Sequence, residues 1–480
     1  MKLLVRGASA WFALAVLLAL LALLRPVDHD ESQYVAAATL SAHGSLPYRD
    51  YLYLQAPLQP LLFAPVAWLA GRWAWPVLRI VNALLGVIAL GGVYRAARIA
   101  GVRPRAAITA TALFGCCDIL LFSIGTARND ALPLALFAAA LPALVRGSLG
   151  RATPGSALLA GCLLAAAAAA KVSYAVPALA YGMLALTDRR RQPLLVALGA
   201  APVALLVGWF YRLDPAAFLF GVLAFPTRAP AEYYVADGRA WKLGVATKLI
   251  DTLKFLALGP ALVAIVAVAR DRRRDPTRLL LDVLLIAAFV AALMPAPTWR
   301  QYLAPLLPPL FVRFALAIEA RPPRRTARRV TGMFVFAGIA PSLIALAGVE
   351  AGVPILTAMR QSAAIGARLD RAGVAGPVVT LSPQFLAGAG RLVDPRFAAG
   401  PFYFRSHALL SPQQEPALHA LSGDRLDALG MPGAILLGGE GAWTSGDAAL
   451  ERPLERWAQA HGYRAEAVPG DRFRLYLRPR

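Results

Sequence analysis

Apolar runs of about 17 or more residues, the low end of what a helix needs to cross a bilayer core, recur along the chain from Trp11 to Leu346. Basic clusters punctuate them: Arg95/Arg98/Arg103/Arg105, Arg146/Arg151, Arg189–Arg191, Arg270/Arg272–Arg274/Arg278 and Arg321/Arg324/Arg325/Arg328/Arg329. These clusters alternate with loops that lack them, so the positive-inside rule places all five in the cytoplasm with the N-terminus. The pattern predicts a polytopic α-helical membrane protein with about eleven spans, over 8–24, 76–94, 106–124, 130–145, 154–170, 173–187, 193–211, 249–269, 279–295, 301–318 and 330–349. An odd number of crossings puts the remainder outside. The first run follows only Lys2 and Arg6 and ends in LLALLRPVDHD, with no small-x-small cleavage pattern, so it reads as a retained helix rather than a signal peptide.

One apolar segment is left out of the count. Leu54–Ala70 carries Pro57, Pro60 and Pro65, each removing a backbone donor that lipid cannot replace. Were it a span, every basic loop up to Arg191 would invert. It is read as an interfacial or re-entrant piece of a large first outer loop, residues 25–75. That loop opens with a helix signal, Asp30-Glu31 followed by SQYVAAATLSAH and stopped by Gly44 and Pro47. A second outer loop, Arg212–Lys248, mixes aromatics with Arg228, Arg239, Lys242 and Lys248, a composition suited to lipid headgroups. The short sixth span predicts a tight hairpin with the fifth around Lys171, and the run Ala165–Ala170 permits close helix packing.

After Val349 the pattern becomes that of a soluble domain. Residues 1–349 form the membrane domain and 350–480 a small α/β domain, with β-like runs PVVTLS (377–382), AILLGG (434–439) and FRLYLR (473–478) and a helix over Ala448–His461.

Composition agrees. The chain has 480 residues, 58% apolar and 16% charged, against about 25% charged in soluble proteins. Its net charge of +22 invites a nucleic-acid reading, which the distribution removes. Residues 350–480 hold 14 Arg and 12 acids, so a surplus of +20 falls in the membrane half, mostly in short loops. Nucleic-acid binding needs a basic face on a soluble domain. Cys116, Cys117 and Cys162 all lie in apolar spans and read as small core residues.

The candidate chemistry gathers at the outer face. Asp28-His29-Asp30-Glu31 sets three carboxylates at a membrane surface. Asp30 either caps the helix that follows or is a general base aimed at a hydroxyl at the bilayer edge. A metal site from Asp28, His29 and His43 lacks diagnostic spacing. Thr126-Ala127-Arg128-Asn129-Asp130 falls on the same side; Asp130 either caps the fourth span or faces the first carboxylates across one cavity. Lys171 either snorkels or holds a lipid phosphate. Arg300 and Tyr302, in PTWRQY, form an interface belt or a phosphate clamp. Asp118, the most membrane-embedded acid, is expected to face the bundle interior and to pair with an arginine.

The order of these motifs resembles a known family. Asp30-Glu31-x-x-Tyr34 is followed by HGSLPYRDY (43–51), QAPLQPLL (55–62), RND (128–130), the alanine-rich span ending in Lys171, and WRQYLAPLLPPL (299–310). This sequence of features resembles the multi-spanning glycosyltransferases that use polyprenyl-phosphate sugars, among them protein O-mannosyltransferases and the aminoarabinose transferases of lipid A. The likeness covers roughly residues 8–350. It implies a catalytic carboxylate at Asp30 with Glu31 beside it. It also implies substrate contacts at Tyr34, Arg49, Asp50, Gln55, Arg128, Asp130, Lys171, Arg300 and Tyr302. The family's phosphate-reaching KPP-like element maps onto Gln55-Ala56-Pro57. Ala56 stands there in place of a lysine, which shifts phosphate binding to Lys171 and Arg300. Gln55 replaces an acid, which weakens the case for a metal ligand; a divalent ion is the one cofactor left open. The resemblance further implies a bacterial inner-membrane enzyme with its site in the periplasm, acting on a glycan, lipid or protein hydroxyl. The rival readings are a transporter or flippase of a lipid-linked sugar, or a polymerase or ligase of lipid-linked glycans.

Overall fold

The protein is described by a computed structural model over residues 2–347, 354–442, 446–470 and 472–479. The apolar runs become helices throughout the first 347 residues. They are α1 (Lys2–Leu24), α2 (Glu31–Ala42), α3 (Leu58–Ala70), α4 (Ala74–Ile99), α5 (Pro104–Gly115) and α6 (Asp118–Ile124). There follow α7 (Ala131–Ser148), α8 (Pro154–Ala170), α9 (Ala175–Leu186), α10 (Pro193–Leu213), α11 (Pro215–Leu219) and α12 (Phe225–Ala236). The last are α13 (Val245–Ala257), α14 (Ala261–Arg270), α15 (Pro276–Leu293), α16 (Leu307–Ala320) and α17 (Arg325–Ala347). Among the described residues, six helical stretches are long and apolar enough to cross a membrane: Leu58–Ile99, α7, α10, α15, Arg300–Ala320 and α17. Two bent pairs reach that length together, α5–α6 at 66° and α13–α14 at 95°, and Ala8–Leu24, α8 and Val172–Leu186 are shorter apolar helices. The chain is a multi-pass helical membrane protein.

The two bends meet. The α5–α6 break at Cys117 frees the Asp118 N–H, which donates to the Leu258 carbonyl at the α13–α14 break, 3.0 Å away. Two glycines make room: a Cβ on Gly259 would lie 2.7 Å from Cys117 Cα, and one on Gly338 of α17 only 2.0 Å from the Cys116 carbonyl. Irregular backbone in a membrane protein survives where protein supplies its partners, and here each break supplies the other.

The Leu54–Ala70 segment is helical from Leu58. It joins α4 through Gly71, whose φ of +51° ends α3. Together α3 and α4 run 42 residues, about 63 Å at 1.5 Å per residue, far beyond one hydrocarbon core. Pro57 and Pro60 sit at the start of α3, where no backbone donor is needed. The second large loop folds into α11, a π-helical turn and α12. It exposes Leu219, Leu223, Val235 and Trp241 and turns other aromatics inward: Phe218 meets Tyr48 and Phe220 meets Tyr403, edge to face.

The expected boundary at Val349 lies outside the described residues. Beyond it, α18 (Pro354–Arg371) leads into a layer holding β1 (Ala434–Leu437), β2 (Arg464–Ala467) and β3 (Arg474–Leu477). The sheet is antiparallel in the order β1-β3-β2, with Tyr476 opposite both Ile435 and Ala465. One strand expectation needs correction, and one strand was not expected. Residues 377–382 form only isolated bridges, Val378 to Val393 and Val379 to Ile435. Pro377 has no N–H, and the Thr380 hydroxyl accepts the Ser382 N–H and turns the chain away. β2 escapes a sequence reading because RAEA alternates charge with alanine and has no β-branched residue; it pairs with β3, and its Glu466 reaches Arg368 of α18 at 3.5 Å. The expected helix over Ala448–His461 is a 3-10 turn followed by a helix over Arg452–Ala460. This layer sits on α2 and the start of α4: the Phe385 ring meets Trp75 of α4 at 5.2 Å, and Gly400 leaves no room for a Cβ beside Ser32 of α2.

Candidate active site

The turn 125–130 is fastened first. Asn82 Nδ2 on α4 donates to the Thr126 and Arg128 carbonyls at 2.6 and 2.8 Å, and Gln59 Nε2 on α3 donates to the Arg128 carbonyl at 3.2 Å. Asn129 Nδ2 donates to the Ala170 carbonyl at the end of α8 at 2.6 Å. Three helices thus hold one turn.

The turn after α1 is fastened through Glu31. Its carboxylate accepts Arg79 Nε and Nη2 at 2.7 and 2.5 Å, the Ala127 N–H at 2.7 Å and the Asp28 N–H at 2.9 Å. The same Arg79 donates to the Ala22, Arg25 and Pro26 carbonyls that α1 leaves unpaired at its end. Both side chains are fully buried. Burial alone would raise the Glu31 carboxyl, but Arg79 and the two backbone donors hold it below its ordinary value. Glu31 joins the two turns to α4.

On that frame one guanidinium collects acids from both turns. Arg128 Nη1 reaches Asp28 at 3.0 Å and Asp30 at 2.6 Å, and its Nε reaches Asp130 at 3.1 Å. Lys171 Nζ holds the other Asp130 oxygen at 2.5 Å and stands 5.4 Å above the Tyr302 ring. The capping alternative fails for both aspartates. Each stands at a helix N-cap position, and neither side chain makes a capping hydrogen bond. Asp130 is 3% exposed, Asp28 22% and Asp30 29%, so Asp30 is the most accessible of the three carboxylates. Burial would raise its pKa; Arg128, then His29, outweigh that and hold it well below the usual range. For Asp28 burial prevails and raises the carboxyl.

His29 carries the site into the C-terminal region. Its Nε2–H donates to Glu440 Oε2 at 3.0 Å, while its Nδ1 faces Asp30 at 3.8 Å. Burial works against the imidazolium, yet Asp30 and Glu440 lift it to about 9. Arg405 lies close enough to lower the Asp30 carboxyl further, and its guanidinium covers the Tyr233 and Phe402 rings.

The remaining expected site residues divide. Tyr34, on α2, lies within the field of Asp130, Arg128 and Asp30, and burial pushes its hydroxyl well up. Arg300 pairs with fully buried Asp118 at 2.9 Å, as expected for that acid, and its guanidinium stacks 3.6 Å from the Phe122 ring, which also lies under Arg128. Arg49 and Asp50 do not join the cluster: they pair with each other at an exposed turn, and Asp50 accepts the Leu46 N–H. Gln55 contributes its carbonyl to the Tyr48 hydroxyl at 2.5 Å; among the described residues no bond ties its side chain to the acids. His43 bonds the Thr39 carbonyl at the far end of α2, so the Asp28/His29/His43 metal trio is not assembled. Arg128 fills the centre among the three aspartates where a divalent ion would sit, so these residues do not fit a metal.

Sequence reasoning missed Arg79, Asn82, Phe122, Glu440 and Arg405. Arg79 alone carried a signal, a charge inside an apolar run.

No family profile and no curated protein matches the chain. Solved structures do. ArnT from Cupriavidus metallidurans bound to undecaprenyl phosphate is 16% identical, with a TM-score of 0.64 over 98% of this chain and 97% of that one. The same protein in the apo state is 14% identical, with a TM-score of 0.62 over 98% of both chains. The Archaeoglobus fulgidus oligosaccharyltransferase tethered with an acceptor peptide is more distant, 15% identical at a TM-score of 0.48, over 98% of this chain and 74% of that one. The fold this chain shows is that of ArnT.

Proposed function

We propose that this protein is an inverting membrane glycosyltransferase that moves a sugar from a polyprenyl-phosphate donor to a hydroxyl acceptor at the outer face of a bacterial inner membrane. The observation that carries the reading is the meeting of Asp30 and Asp130, from two separate outer turns, on one guanidinium beside Lys171. A lipid-linked sugar has its tail in the bilayer and its anomeric carbon at headgroup level. A catalyst for it needs a carboxylate and cations together at one membrane face.

In the proposed reaction the acceptor oxygen attacks the anomeric carbon, the bond from that carbon to the phosphate oxygen breaks, and the polyprenyl phosphate leaves with the electron pair. Asp30 takes the acceptor proton. Arg128 keeps Asp30 ionised and so always able to accept, although a weak base; the proton transfers late, once bond formation has made the hydroxyl acidic. Lys171 and Arg300, joined by Arg405 from the C-terminal region, meet the charge that develops on the departing phosphate. Glu31, saturated by Arg79 and backbone donors, positions the loop instead of reacting.

The likeness to ArnT, solved with undecaprenyl phosphate, supports the donor class. The reading keeps eleven crossings with the basic loops inside; six long apolar stretches, two bent pairs and three shorter apolar helices supply enough segments for it. In this reading the C-terminal region lies on the outer face over the site, which the His29–Glu440 bond supports. The test is Asp30→Asn in purified protein with radiolabelled polyprenyl-phosphate sugars. Transfer falls by about 10²–10⁴-fold, the usual worth of a positioned base, while the donor still binds. Undiminished transfer overturns the mechanism.

A further inference from the structure

On the face opposite Asp30 the ends of α5, α14, α16 and α17 surround a cleft of about 1920 Å³. The opposition follows from α4: Arg79 near its start bonds Glu31, and about 20 residues later, roughly 30 Å at helical rise, the chain reaches the α4–α5 loop with Arg103 and Arg105. The α14–α15 loop adds Arg270, Arg272 and Arg273, and the α16–α17 loop adds Arg321, Arg324 and Arg328.

Only two carboxylates line the cleft, and both are engaged. Glu319 is held by Arg103 at 2.5 Å; Asp271 is held by Arg278 at 3.1 Å and Arg313 at 2.7 Å. Of the eight lining arginines, Arg103 alone forms an ion pair among the described residues. Basic loops that serve only to orient a membrane protein do so dispersed in water. Here three of them converge on one concave volume with their arginines still exposed, so an anion entering it meets several cations at once. The deeper wall is apolar, formed by Leu113, Val263, Val266 and Phe314. Beside it α5 and α17 expose Ile108 and Met333 on their outer surfaces.

We propose that this cleft binds the phosphodiester headgroup of an anionic membrane lipid, with its acyl chains lying along α5 and α17. Several cations at one height suit a phosphate, and the apolar wall suits what is attached to it. Neither feature depends on glycosyl transfer.

The full-length protein is reconstituted in nanodiscs of phosphatidylcholine alone or of an equal mixture with phosphatidylglycerol, and retained lipids are counted by native mass spectrometry. The wild type retains phosphatidylglycerol over phosphatidylcholine by about tenfold, as expected for several cations on one headgroup. The triple variant Arg272→Gln/Arg321→Gln/Arg324→Gln loses that preference. The variant Arg272→Lys/Arg321→Lys/Arg324→Lys keeps every charge, and with it the membrane orientation, but lacks the bidentate fork; it retains the lipid more weakly than wild type. If the glutamine variant does not fold, the wild-type preference and the lysine variant decide. Equal retention of both lipids by the wild type, or an unchanged preference in the triple glutamine variant, overturns the proposal. Displacement of the lipid by millimolar inorganic phosphate would make this a free-phosphate site and overturns the lipid assignment.

Discussion

The Glu31–Arg79 pair is the most consequential contact at the residue scale. Both partners are fully buried, and removing one leaves the other charge uncompensated, at a cost of about 3–5 kcal/mol. Glu31→Gln is expected to lower the melting temperature sharply, read by thermal unfolding in detergent. Arg79→Lys is not expected to rescue, since an ammonium cannot fill two carboxylate oxygens and three carbonyls. His29 sets a pH dependence. Its folded value of about 9 lies above the ordinary 6.5, so the stability it contributes is complete below about pH 6.5 and is lost as pH rises through about 9. His29→Gln is expected to flatten the melting profile across that window; an unchanged profile would show that the ion pair contributes nothing. Asp30, Arg128, Asp130 and Lys171 were legible in the sequence because charge at the ends of apolar runs needs a reason. Glu440 was not: it lies 411 residues from His29, in a soluble stretch where an acid is unremarked.

Elements follow the apolar pattern closely, and their breaks follow small residues. A helix shows in sequence as a run; a bend shows only as a glycine or a pair of cysteines, which also occur in straight helices. At Gly338 the reason is spatial, since a Cβ would meet the Cys116 carbonyl at 2.0 Å. Gly338→Ala is therefore expected to cost about 1–3 kcal/mol, the range for overpacking, and to reduce recovery of folded protein on size-exclusion chromatography. Gly332→Ala, in the same helix with open space around it, is the control and should be neutral or slightly favourable.

For the whole molecule, the two predictions concern sidedness and the C-terminal region. Reporter fusions at Arg98 and Asp130 should report opposite sides of the membrane, since α4 separates the Arg79–Glu31 pair from the Arg98 end; a common side would break the proposed threading. Glu440→Ala should lower the transfer rate by about tenfold, roughly one hydrogen bond to a charged group, and leave donor binding intact. Loss of donor binding would instead give that region a direct part in holding the lipid.

Hydrophobic patterning by itself determined that this chain lives in a membrane and where its helices fall, because lipid tolerates only helices with internally paired backbones. Tertiary structure decided which charges meet. Arg128 took three acids from two turns, Glu31 was withdrawn into a pair with Arg79, and Arg49 and Asp50 were left outside. Such pairings depend on helices brought together from distant parts of the chain, and periodicity records only each helix's own face.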